Sequence, residues 1–287
     1  WFYYFRVNRL LVFLLKYSII KSTKLRRTGM KVTLIYGGKS AEHDISILSA
    51  FSILKAIYYN YYEVQTVYIT KEGKWLKGKL YSQAPENEEE LHLTIENSEV
   101  IEPSDIKEEG SVIFPVLHGP NGEDGTVQGL FEVLNMPYVG AGVLASACAM
   151  DKIVAKQLFQ QAGIPQLPYV SVIRRAYQEE PEKIYSQCEG TLIYPMFVKP
   201  ANMGSSVGIS KAESRAELTK AIEEAFRYDR RVIVEQGIEA RELEVAILGN
   251  DEIRTTEAGE IVKDVAFYDY ESKYIDNKVT LQVPAIV

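Results

Sequence analysis

Apolar positions along this chain recur with two different periods, and the switching between them predicts alternating strands and helices. Residues 31–36 form a compact apolar run that stops at Gly37-Gly38, after which Ile45, Leu48, Ile53 and Ile57 recur at roughly helical spacing. That pattern predicts a strand, a glycine turn and a helix. Buried strands are predicted over 64–69 and 112–117, a helix over 126–134, and a short strand at Tyr138-Val139. The order predicts an α/β fold, a doubly wound parallel-sheet domain over residues 30–149. Within it, the acidic and weakly patterned stretch 77–110 reads as a solvated loop or edge region. A second unit, 150–287, opens with a helix over 151–161 that Gly163-Ile164-Pro165 ends. A strand over 169–173, a helix over 179–188, a strand reaching Lys199, a helix over 215–226 and strands over 232–235 and 243–248 follow. The chain has no repeat of fixed period.

Composition narrows the partners. With 287 residues, 46% hydrophobic and 25% charged, the chain can bury cores for two or three domains. Seven bases and no acid in the first 29 residues leave residues 30–287 at −14 out of a chain total of −7. An acidic body argues against nucleic acid as a partner and favours small-molecule chemistry. Residues 1–29 have bases on both sides of the apolar run 10–15, and Lys16 interrupts it, unlike a signal peptide. The run is too short to span a bilayer. We read the segment as an extension ahead of Met30, outside the fold, with a peripheral amphipathic anchor as the competing reading. Cys148 and Cys188 lack metal-ligand spacing and fit a reducing compartment.

Three stretches carry candidate chemistry. In Met196-Phe-Val-Lys-Pro-Ala-Asn-Met-Gly-Ser-Ser-Val-Gly208, an apolar strand delivers Lys199 to its end and a small-residue loop follows. A cation and free backbone N–H groups together suit polyphosphate. Gly37-Gly38-Lys39-Ser40 looks like the end of a P-loop, but Thr33 stands where that motif needs glycine, and no dinucleotide fingerprint follows the first strand. The turn does bring Glu42 and His43 to the carboxyl edge of a strand, where open α/β sheets bind ligands. The third stretch, His118-Gly-Pro-Asn-Gly-Glu-Asp-Gly125, follows another strand and permits close ligand approach. For Glu42 alone a capping or solvated role is the simpler expectation, and for His118 a hydrogen-bonded turn. Their shared sheet edge favours function. Glu242 and Glu244 fall on one face of a strand, where Glu242 could bond ribose hydroxyls or either could simply belong to a polar outer face.

Taken in order, Gly37-Gly-Lys-Ser-Ala-Glu-His-Asp-Ile-Ser46, the His118–Thr126 turn, Met150-Asp-Lys152, Lys199-Pro through Gly208, Glu235 with Arg241-Glu-Leu-Glu244, and Phe267-Tyr-Asp-Tyr-Glu-Ser-Lys-Tyr274 resemble the D-alanine–D-alanine ligases of the ATP-grasp superfamily. The resemblance covers nearly everything from Met30 onward. It implies an ATP-grasp fold of α+β subdomains over 150–287, and ATP with Mg²⁺ or Mn²⁺ as cofactors. Lys152 and Lys199 would contact ATP phosphates. Glu235, Gln236 and Ile238 would border adenine, Glu242 would hold the ribose, and Ser205 and Ser206 would close over the phosphates. Glu42 would take the ammonium group of the first D-alanine and connect through Ser205 to Tyr274, while His118 would line the substrate pocket. Lys273 would neutralise the transferred phosphate when a lid over 267–274 closes. The implied reaction converts one D-alanine to an acyl phosphate that the second D-alanine's amine attacks, in a site that must exclude water.

The resemblance also implies a cytoplasmic homodimer without membrane contact, serving peptidoglycan precursor synthesis, with Tyr274 favouring D-alanine over D-lactate. After Val287 the family continues with an arginine, an aspartate, and a glutamate and asparagine close together, which bind two Mg²⁺ ions and orient the second D-alanine, so no metal ligand can be assigned here. As it stands, truncated at this end, the chain is expected to be inactive or barely active. The alternatives are a non-catalytic nucleotide-binding protein and a D-alanine–D-serine or D-alanine–D-lactate ligase.

Overall fold

The structure, a computed structural model, describes residues 29–204, 206–263 and 279–287. Its first half runs β1 (Met30–Gly37), α1 (His43–Ala56), β2 (Tyr62–Ile69), β3 (Trp75–Tyr81), β4 (Glu99–Ile101), β5 (Ser111–Pro115), α2 (Thr126–Val133) and α3 (Val143–Met150). The strands form one sheet in the order β4-β3-β2-β1-β5. β1 lies parallel to both β2 and β5, and β3 and β4 add antiparallel strands at one edge.

The central strand explains its own sequence. Side chains alternate across a strand, so one covered on both faces must be apolar throughout. Val32, Leu34 and Tyr36 pack with Ile47, Ala50, Ile53 and Leu54 of α1. Ile35 faces the other way, onto Val67, Ile69, Ile113 and, from α2, Val127 and Phe131. The sheet is therefore covered on both sides, and the turns after β1 and β5 emerge side by side at one end.

The second half continues with α4 (Lys152–Gln161), β6 (Tyr169–Ile173), α5 (Arg174–Glu179), α6 (Pro181–Thr191), β7 (Met196–Pro200), β8 (Ser210–Ala212), α7 (Arg215–Ala225) and β9 (Arg231–Gln236). β6-β9-β7-β8 is an antiparallel sheet. One face, carrying Val170, Val172, Met196, Val198, Val232 and Val234, packs on Ile184 and Cys188 of α6 and Leu218 and Ile222 of α7. The opposite face carries Lys199, Ile233 and Glu235, and there only Ile153, Ala201, Ile233 and Tyr169 make a small apolar cluster. A sheet apolar on one side and charged on the other positions a site on its charged face. Short strands complete the chain: β10 (Glu242–Glu244), β11 (Ile247–Leu248), β12 (Arg254–Thr255), β13 (Gly259–Lys263) and β14 (Val279–Gln282), paired as β10-β13-β14 and β11-β12.

Three expectations are refined. Of the two readings of 77–110, loop or edge region, the edge holds: β3 reaches into it, β4 within it is the edge strand, and single helical turns at Glu88–Leu91 and Pro103–Ile106 link the rest. The predicted strand over 243–248 is two strands in different sheets, because the backbone leaves the first ladder at Val245-Ala246. The helix predicted over 179–188 is α6, starting at Pro181, and a further short helix, α5, precedes it and ends before that proline. No helix among the described residues is long and apolar enough to cross a membrane. Residues 1–28, Ser205 and the proposed lid with Lys273 and Tyr274 lie outside the described residues.

Candidate active site

Glu42 stands at the start of α1, immediately after the glycine turn that ends β1, and is only 5% exposed. Its turn is fixed by neighbours. His43 bonds through Nδ1 to the Gly38 carbonyl at 2.7 Å and through Nε2 to the Tyr68 hydroxyl at 2.9 Å. A carbonyl only accepts, so Nδ1 carries the proton and, in the neutral ring, Nε2 accepts from Tyr68. Ser46 Oγ accepts the Gly37 N–H at 2.8 Å and donates to the Val116 carbonyl, tying the β1 turn to the end of β5.

Following β5, His118 Nε2 lies 3.1 Å from Ser49 Oγ, whose own proton goes to the Ile45 carbonyl at 2.6 Å. The ring nitrogen is therefore the donor in this pair. Burial lowers the His118 pKa to about 4, so the imidazole is neutral near pH 7. His118 also lines a cavity of about 660 Å³ with Gly122, Gln128, Ser146 and Met150. Glu123 accepts the Gly119 N–H at 2.7 Å, and its pKa is raised, first by burial and also by the nearby Glu42 charge.

Three loops meet at the Glu42 carboxylate. A Cβ placed on Gly119 would lie 2.6 Å from Glu42 Oε2, and one on Gly204 would lie 2.9 Å from the same oxygen and 3.7 Å from Gly119 Cα. Only residues without side chains let the His118 loop and the glycine loop approach this acid so closely.

A second cluster lies on the charged face of the β6-β9-β7-β8 sheet. Lys199 and Glu235 sit on adjacent strands, β7 and β9. Lys199 bonds one Glu235 oxygen, and Lys156 reaches the other at 2.7 Å. Burial raises the Glu235 pKa, but the pull of Lys199 and Lys156 outweighs it, and the net shift is downward. Lys152, one helical turn before Lys156 on α4, donates to the Met203 carbonyl at 2.5 Å inside the glycine loop. Its pKa is lowered by burial and then by the Lys199 charge.

The sequence builds this cluster locally. Asp151 caps α4 by accepting the Ile153 and Val154 N–H groups at 3.1 and 3.0 Å, and it pairs with Arg231 of β9. Asp229 accepts the Asn202 N–H at 2.9 Å and the Arg231 N–H at 3.1 Å, fixing where the glycine loop leaves β7. Ser206 takes a left-handed conformation, φ 62°, in that loop.

The expected residues thus fall into two groups, Glu42 with His118 and Lys152 with Lys199 and Glu235, joined by the loop containing Gly204. Gln236 does not turn its side chain to a ligand: Nε2 donates to the Ile193 and Gly237 carbonyls at 2.9 and 3.0 Å, and Oε1 accepts the Ile193 N–H at 2.9 Å. Ile238 is exposed and Glu242 half-buried on β10. His43 was expected at this sheet edge, though not its bonds to Gly38 and Tyr68, whereas Lys156 was not anticipated from the sequence; the one signal for Lys156 is its i,i+4 spacing from Lys152. Among the described residues no three His, Cys, Asp or Glu side chains are grouped to hold a metal ion, so these residues do not fit a divalent cation by themselves.

Two family models match, the D-ala D-ala ligase N-terminus over residues 31–141 and the D-ala D-ala ligase C-terminus over residues 158–287. The D-alanine–D-alanine ligase of Enterococcus hirae is 64% identical over 267 residues, which are 90% of this chain and 75% of that protein. The Enterococcus faecalis ligase of the same name is 63% identical over 267 residues, 90% of this chain and 77% of its own. Among solved structures, the VanG D-Ala:D-Ser ligase from Enterococcus faecalis aligns with a TM-score of 0.73 at 33% identity, covering 91% of this chain and 78% of that one. The Coxiella burnetii D-alanine-D-alanine ligase aligns with a TM-score of 0.67 at 31% identity, covering 81% and 71%.

Proposed function

The chain belongs to the D-alanine–D-alanine ligase family, of ATP-grasp fold, and from that premise we propose that it joins two D-alanines with cleavage of ATP, through a D-alanyl phosphate. Residues 30–149 then supply the first-substrate site and residues 150–287 the nucleotide site. Glu42 takes the ammonium group of the first D-alanine. The observation that carries this is its buried carboxylate at the meeting point of three loops. Inside such a low-dielectric enclosure a carboxylate attracts a substrate cation more strongly than it would in water. The neutral His118, next to Gly119, lines the neighbouring cavity as a hydrogen-bonding group rather than a charge.

Lys152 and Lys199 bind the nucleotide phosphates. Burial and then the Lys199 charge lower the Lys152 pKa, a polyanion between the two lysines offsets both, and such neutralisation is most of what phosphoryl transfer asks of a protein. The backbone of Gln236, Ile238 and the edge of Glu235 border adenine, Glu242 holds the ribose, and Ser205 and Ser206 cover the phosphates. Lys273 and Tyr274 close over the acyl phosphate and keep water out. Mg²⁺ or Mn²⁺ would arrive with ATP, whose phosphates carry part of its ligand set. ATP use supports a cytoplasmic location, and the family likeness supports a homodimer through residues 30–149.

The test is dipeptide formation with ATP and D-alanine, D-serine or D-lactate in competition. D-alanyl-D-alanine is the expected main product. A predominance of D-alanyl-D-serine would favour the second reading, which the VanG likeness motivates. Tight ADP binding with no product from any substrate would favour a nucleotide-binding protein without catalysis.

A further inference from the structure

The nucleotide reading above accounts for Lys152 and Lys199 but leaves Lys156, a lysine side chain only 14% exposed, without a task. Its ammonium group lies 2.7 Å from Glu235 Oε1, 3.4 Å from the Leu167 carbonyl and 5.2 Å from the centre of the Tyr169 ring. Its helix is held in place at that point, because Gln166 Nε2 donates to the Lys156 carbonyl at 2.7 Å. The other Glu235 oxygen is occupied by Lys199. One buried carboxylate is therefore shared by two lysines, one oxygen each. Three cations, Lys152, Lys156 and Lys199, surround this single acid. Asp151 is engaged by Arg231, and Asp229 by the backbone of residues 202 and 231.

Resting on the nucleotide-binding reading, we infer that Lys156 is a positioning residue that keeps Glu235 neutralised when Lys199 leaves it for the nucleotide phosphates. A phosphate competes with Glu235 for Lys199. If Glu235 had no second cation, releasing Lys199 would strand a buried charge, and Lys199 would stay bound to the acid. With Lys156 fixed on the other oxygen, the exchange leaves no unpaired carboxylate. Lys156 thus acts on the phosphates only through Glu235 and Lys199. The Tyr169 ring faces the Lys156 ammonium group, which holds it at the acid rather than letting it swing toward the ligand itself.

The consequence has a distinctive pH signature. In Lys156→Met, Glu235 loses one of the two cations bonded to it, so its pKa rises. At pH 8 Glu235 is ionised, Lys199 is retained, and ADP binding should weaken by roughly tenfold, the equivalent of one pKa unit of interaction. At a second, lower pH where Glu235 begins to protonate, Lys199 is freed, and the ratio of mutant to wild-type Kd should fall toward one. Taking the ratio at each pH removes the titration of ADP itself. Lys156→Arg should restore binding, and in a Glu235→Gln background Lys156→Met should change nothing at either pH.

ADP titrations by calorimetry on the full chain and these variants, with thermal melts to establish folding, decide the matter. A pH-independent loss in Lys156→Met that persists in the Glu235→Gln background would overturn the inference and leave Lys156 a structural or direct phosphate contact. Unchanged ADP affinity in folded Lys156→Met would overturn it as well. Absence of ADP binding by the wild-type chain would instead overturn the nucleotide-binding reading on which it rests. If Lys156→Met does not fold, Lys156→Gln in the Glu235→Gln background, which removes both charges together, supplies the same comparison.

Discussion

Replacing Gly119 by alanine tests how the substrate acid is held. Gly119 has φ of +72°, a conformation costing a residue with a Cβ ~1 kcal/mol. The new Cβ would lie 2.6 Å from Glu42 Oε2, against the 3.4 Å at which ordinary contact begins, so the oxygen must retreat by about 0.8 Å. The obstacle is the far end of a side chain rather than backbone, so the carboxylate yields at small steric cost. Stability should therefore fall by only ~1–2 kcal/mol. Binding should suffer more, because a displacement near 1 Å at a reacting group can cost up to ~10²-fold. We expect KM for the first D-alanine to rise ~10- to 100-fold in an assay of D-alanine-dependent ADP release, with ADP affinity unchanged. Gly129→Ala is the control: nothing lies within 4 Å of a Cβ there, on α2, and the change should stabilise by ~0.5–1 kcal/mol with KM unaltered. A wild-type KM in folded Gly119→Ala would refute the placement of the first substrate at Glu42.

Lys199→Ala removes a phosphate cation and should lower turnover by ~10²–10³-fold, as loss of one charge-stabilising donor does; near-normal product formation would exclude its phosphate role. His118 has a pKa of about 4 in the fold and ~6.5 unfolded, so between those values only the unfolded chain is protonated. Stability should accordingly rise with pH across that window by at most ~3 kcal/mol, and His118→Gln should flatten the corresponding part of a urea-midpoint series. Phe131, fully buried between α2 and the parallel strands, should cost ~3–5 kcal/mol when cut to alanine. A shift in chemical-denaturation midpoint smaller than a third of that would mean the α2 side of the sheet can collapse around the void.

Legibility in the sequence followed how local each cause is. β1 could be read because burial on both faces makes nearly every one of its residues apolar, and the glycines after it announced a turn that puts Glu42 at a sheet edge. β3 could not: as an edge-side antiparallel strand it buries only Leu76 and Tyr81 among seven residues, so its pattern merges with the polar stretch around it. His43 was hidden by its neighbour, since nothing in Glu-His-Asp says that the ring will find a carbonyl five residues back and a tyrosine on the next strand. Likewise β8 is too short, at three residues, to show a period at all.

Lys156 marks the limit more sharply. On its helix it is one more lysine a turn beyond Lys152, the usual spacing of a solvated stripe, and the acid that gives it meaning lies on a distant strand. Only the sheet decides the matter: β6 and β9 pair so that Tyr169 faces Glu235, and β7 and β9 so that Lys199 lies beside it. That arrangement places an internal carboxylate where cations gather around an anion, holding the lysines in position before nucleotide arrives. Preorganisation of this kind spares the site the cost of assembling like charges at the moment of binding. The motif names the lysines proposed to meet the phosphate, whereas the pairing of strands shows the carboxylate that holds them.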